Sequence, residues 1–167
     1  MDIEDALRTL GGVAHHSELL PLGITLDGAA RAVRSGRIER IRRGWFRVAD
    51  APTDVVSAVR VGGALTCVSV LKTLGVWCVD DEILHVRLGR GISHAGSPTD
   101  RTVPLGDPTL HGVHVHRSLA STLRPAGRVA VDTVDDALMQ IVVCQPRDHA
   151  IAAFDSALNL KLTTRQR

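Results

Sequence analysis

The chain has 167 residues, 44% hydrophobic and 23% charged, with 20 basic and 18 acidic side chains and a net charge of +2. That composition supports one good core or two small ones and excludes a disordered or low-complexity chain. The opening is acidic at Asp2, Glu4 and Asp5, and the longest uncharged apolar-rich run, residues 61–71, is far too short to span a bilayer; the expectation is a cytoplasmic chain with no leader and no membrane partner.

Residues 2–10, DIEDALRTL, set Ile3, Ala6, Leu7 and Leu10 on one helical face, with acids in the first turn where the helix dipole favours them. Gly11-Gly12 stops this helix, and Val13-Ala14 is a short extended piece. A second helix starts at His15, His16 or Ser17, carries Leu19 and Leu20, and is ended by Pro21 and Gly23. Thr25 is placed to cap a third helix with Asp27 in its first turn. Leu26, Ala29, Ala30 and Val33 are its expected packing face; Asp27, Arg31, Arg34 and Ser35 point the other way, and Gly36 stops it. Gly28 costs this helix roughly 1 kcal/mol relative to alanine. Residues 38–42 and 45–48 then form a hairpin about Arg43-Gly44. Ile41 and Phe46 are expected to face inward and Arg40, Arg42 and Arg47 to reach solvent. Trp45 and Phe46 are expected in packing rather than base stacking.

Three helices and a hairpin within fifty residues predict a winged helix-turn-helix over residues 1–50. Its charge fits. Residues 25–47 carry seven arginines against Asp27 and Glu39, a net of +5, whereas the other 144 residues carry a net of −3. Local positive charge is what neutralises phosphates. The candidate contacts to double-stranded DNA are Thr25, Asp27, Arg31, Arg34, Ser35, Arg37, Arg40, Arg42, Arg43 and Arg47. Arg31 and Arg34 are placed for base edges or phosphates in one groove, and the hairpin arginines for backbone phosphates or the minor groove.

Ala51-Pro52 marks a linker to a second domain, residues 54–167. Residues 54–61 look helical and Gly62-Gly63 breaks them; residues 66–74 form another apolar helix ended by Gly75. Residues 83–88, ILHVRL, alternate as a strand. Residues 89–108 read as loop with a short strand at 101–103; further strands are expected at 113–116 and 128–131. Helices follow at 133–144 and from Pro146 to about Asn159, the last burying Ala150, Ile151, Phe154 and Leu158, and the TTRQR tail is frayed. The fold class is therefore α+β, a winged helix followed by a small mixed α/β domain.

Catalytic patterns are weak in this half, and no catalytic residue, metal ligand or cofactor is expected. The two lysines, Lys72 and Lys161, lack the acid two residues earlier that a PD-(D/E)XK nuclease uses to hold Mg²⁺. Gly96-Ser97 is not followed by the paired aspartates of a nucleotidyltransferase, and neither a GxSxG elbow nor a phosphate loop is present. His111, His114 and His116 in HGVHVH have no acid or cysteine beside them at a ligand spacing. Cys67, Cys78 and Cys144 form no CxxC pair and are expected as small core residues. Asp132, Asp135 and Asp136 are expected as helix-start charges.

The segments GGVAHHSELLPLGIT and RIERIRRGWFRV resemble the N-terminal winged helix of AbiEi-type antitoxins, actinobacterial versions above all. HVRLGRG, GVHVHR, VDTVDDALMQIV and DHAIAAFDSALN resemble the domain that follows it there. The resemblance implies operator binding with repression of the chain's own operon, contacts through Arg31, Arg34, Arg40, Arg42 and Arg43, and a second domain that serves in neutralising a nucleotidyltransferase-like toxin. Two alternatives stand beside it. One is a DNA-targeting module of a longer protein bearing a nuclease related to very-short-patch repair enzymes. The other is a protein-interaction domain whose winged helix binds no DNA.

Overall fold

The computed structural model describes residues 1–79, 81–89, 94–117 and 129–164, an α+β arrangement of helices about two three-stranded sheets. Helix α1 (Ile3–Thr9) is capped by the Asp2 carboxylate, which accepts from the Glu4 N–H, and buries Ile3, Ala6 and Leu7. Gly11 and Gly12, with φ of +83° and +87°, turn the chain into β1 (Val13–His15). Helix α2 (His16–Leu19) starts on a capping box: the Ser17 N–H donates to His15 Nδ1 and the His15 N–H to the Glu18 carboxylate. A 3-10 turn, Leu20–Leu22, continues it through Pro21.

Helix α3 (Leu26–Arg34) buries Ala29, as expected, and Ala32, which the expected face did not include. Leu26 is exposed, and Ala30 and Val33 are half-buried. The hairpin forms as β2 (Glu39–Arg42) and β3 (Trp45–Arg47). Strand β3 lies between β1 and β2, antiparallel to both, and its consecutive Trp45 and Phe46 are both buried, so both faces of this strand are covered. A bulge between Arg40 and Arg42 breaks the two-residue alternation, so Arg42 loses the exposure that Arg40 keeps.

Helix α4 (Thr53–Val61) packs against β2, and buried side chains form a continuous apolar cluster from Ile3 to Ala157. The second sheet takes the order β4 (Ala64–Leu65), β5 (Leu84–Leu88), β6 (Val113–Arg117). The β4–β5 pair is antiparallel and the β5–β6 pair parallel. Strand β5 is therefore central, and His85, Val86, Arg87 and Leu88 are all buried. Helix α5 (Cys67–Thr73) packs on β5 and on α6 (Val134–Cys144), which packs on α7 (Arg147–Asn159). Helix α7 buries Ala150, Ala153 and Ala157; Ile151 is exposed, and Phe154 and Leu158 only half-buried. The strand expected at 101–103 is a turn beside an isolated Gly96–Pro104 bridge, and the one at 128–131 reduces to a Val131–Leu65 bridge. Arg128, residues 90–93 of the long loop and the end of the TTRQR tail lie outside the described residues. Among the described residues no helix is long and apolar enough to cross a membrane.

Candidate functional site

The arginine run divides into two groups. Arg31, Arg34, Arg40 and Arg43 are exposed and have no ion-pair partner among the described residues. The other three are engaged. Arg37 donates to Asp2 at 2.9 Å, and that contact leads the causes holding the Asp2 carboxyl below its usual range. Arg47 grips the Glu39 carboxylate across the hairpin at 2.6 and 3.0 Å. Arg42 is half-buried and donates to the Val59 carbonyl at 3.4 Å; burial foremost, then the charge of Arg101, lowers its pKa. The expectation that Arg42 and Arg47 both reach solvent freely is corrected by these contacts.

Helix α3 and the β2–β3 hairpin face each other across a cleft lined by Asp27, Ala30 and Arg34 on one side and Arg40 and Arg43 on the other. Arg31 lies on the opposite shoulder of α3, in a concavity with Thr25, Gly28 and Arg37. Arg31 and Arg34 therefore line different concavities of the surface. Thr25 is the N-cap, its hydroxyl accepting from the Gly28 N–H at 3.1 Å, and the Ser35 hydroxyl donates to the Ala32 carbonyl. Both are occupied in shaping the helix ends.

A second site lies in the other half, where sequence spacing showed none. Cys67 opens α5, His85 is on β5, His116 is on β6 and Cys144 closes α6. One potential ligand atom from each lies within 4.8 Å of all the others. His85 Nδ1 is 3.0 Å from His116 Nε2 and 3.7 Å from Cys144 Sγ. Cys67, His85 and His116 are buried and Cys144 is half-buried. Parallel pairing sets His85 beside His114, so that His116 reaches His85 along the same face. His114 stacks on the His85 ring but stays exposed, and it does not belong to the four. Asp81 approaches from outside, each carboxylate oxygen 3.1 Å from His85 Nε2.

Electrostatics divides the two thiols. The contact with Cys67 first, and those with His116 and His85 after it, pushes the Cys144 thiol far below its usual range. The same contact, with burial, pushes the Cys67 thiol up. For His85, burial is the largest influence and acts downward, but Cys144 and Asp81 together outweigh it and leave the ring above its ordinary value.

Beside this cluster, Arg87 and Asp132 form a buried ion pair, with both side chains 0% exposed. Arg87 Nε donates to one carboxylate oxygen at 2.6 Å and Nη2 to the other. Asp132 is thus no helix-start charge, since it lies inside, pinned to the central strand; Asp135 and Asp136 do sit in the first turn of α6. No protein-family profile matches this chain, and no curated protein matches it with significant similarity.

Proposed function

We propose that residues 1–48 act as a winged helix-turn-helix that binds double-stranded DNA, and that the protein is a DNA-binding transcriptional regulator. The observation that carries this reading is the set of four exposed arginines without ion-pair partners among the described residues, Arg31 and Arg34 on α3 and Arg40 and Arg43 on the hairpin. Charges already paired inside the chain gain little from a phosphate; charges held in solvent gain the full contact and release counterions. The element order α1–β1–α2–α3–β2–β3 with a β1-β3-β2 sheet supports it, because such an arrangement offers one helix to a groove and one hairpin to the flanking backbone. The resemblance to AbiEi-type antitoxins supports the finer reading: an autoregulator whose second half engages a nucleotidyltransferase-like toxin.

The test is fluorescence anisotropy on duplex DNA with wild type and the Arg31→Ala/Arg34→Ala variant, both checked for folding by circular dichroism. Each substitution should cost about 1–3 kcal/mol where the arginine reads a base edge. Unchanged affinity would remove α3 from the interface.

A further inference from the structure

We propose that Cys67, His85, His116 and Cys144 form a closed, tetrahedral Zn²⁺ site that ties α5, β5, β6 and α6 together. Zinc–nitrogen bonds near 2.0 Å and zinc–sulfur bonds near 2.3 Å require tetrahedral edges of about 3.3–3.8 Å. The separations of 3.0 and 3.7 Å lie within about 0.3 Å of those edges, and the common limit of 4.8 Å leaves the other pairs at most about 1.5 Å to close on one ion. The donor set selects the metal. Two thiolates and two imidazoles suit zinc and are poor ligands for Mg²⁺ or Ca²⁺, which take oxygen. Four protein ligands leave no position for water or substrate, so the site is structural and not catalytic. On binding, the two cysteines enter as thiolates and their protons pass to solvent.

Two neighbouring features belong to such a site. The Asp81 carboxylate beside His85 Nε2 fixes the N–H there, which leaves the Nδ1 lone pair turned into the cluster. Cys67 holds a φ of +52°, a left-handed conformation that a non-glycine residue adopts only where its surroundings demand it.

The test uses the full chain, purified under reducing conditions without chelator. Elemental analysis should find one zinc per chain after desalting. Cobalt exchange should give the strong visible absorption of a tetrahedral site together with thiolate-to-cobalt charge transfer. Cys67→Ser, Cys144→Ser and His116→Asn should each abolish that spectrum, while His114→Asn should retain it. Asp81→Asn should keep the stoichiometry and weaken zinc by about 10–100-fold in competition with a chromophoric chelator. If the ligand variants do not fold, X-ray absorption on the wild-type zinc form decides, with two sulfur and two nitrogen neighbours expected. A chain that carries no stoichiometric metal and shows no thiolate–cobalt band on titration overturns the site.

Discussion

The salt dependence of the proposed DNA binding measures how many arginines are available. Each phosphate contact contributes about −0.9 to the slope of log K against log salt. Seven free arginines would give a slope of about −6.3, and affinity would fall by about 6000-fold between 50 and 200 mM salt. Arg37, Arg42 and Arg47 are already engaged by Asp2, the Val59 carbonyl and Glu39, which leaves four. The expected slope is then about −3.6, a loss of about 150-fold over the same range. Replacing Arg40 and Arg43 by alanine should bring it to about −1.8, a loss of about 12-fold. Glu39→Gln removes the carboxylate that holds Arg47 and should steepen the wild-type slope by about one contact. Anisotropy on a duplex of arbitrary sequence, titrated with salt, reads all three values. A wild-type slope near −6, or one that the Arg40/Arg43 replacement leaves unchanged, would refute the division of the arginines into engaged and available.

Two further outcomes concern the second half. Asp132→Ala leaves the Arg87 guanidinium, 0% exposed, without its carboxylate, a loss of about 3–5 kcal/mol. At about 2–4 °C per kcal/mol for a chain of this size, calorimetry should show a midpoint lower by about 6–20 °C; a fall under about 2 °C would show that water reaches the pair. Gly63→Ala would put a Cβ 2.3 Å from the Arg87 carbonyl oxygen, forcing β4 off β5. Its thermal midpoint should drop clearly below wild type, and an unchanged value would mean that the two strands separate at little cost.

Much of the secondary structure could be read from the chain itself. Thr25 and Thr133 cap the helices they precede, and Gly36, Gly62 and Gly75 lie where helices stop. These signals act within a few residues, through hydrogen bonds to the first free N–H groups and through backbone conformations that glycine adopts without strain. The charge run of residues 25–47 was equally plain, because counting needs no geometry.

What the chain did not disclose by itself depends on which distant elements become neighbours. Periodicity placed Ala29 and Ala150 correctly on the buried faces of α3 and α7, but set leucine, isoleucine, valine and phenylalanine beside them where the helices instead bury Ala32, Ala153 and Ala157. Close approach between backbones favours the smallest side chains, and only the packed neighbours say where that approach occurs. Which arginines are paired was decided by a bulge at Arg40–Arg42 and by contacts spanning up to 35 residues. The cluster is the clearest case: HVH on β6 acquires its partners from a parallel strand and two helix ends, 31 residues away at His85, while His85 and Cys144 are 59 apart. Sequence alone determined the local elements and the concentration of positive charge, because capping, periodicity and charge are properties of short stretches. Tertiary structure decided which arginines stay unpaired among the described residues, the buried Arg87–Asp132 pair and the convergence of Cys67, His85, His116 and Cys144, because strand order and register bring together side chains that no local spacing relates.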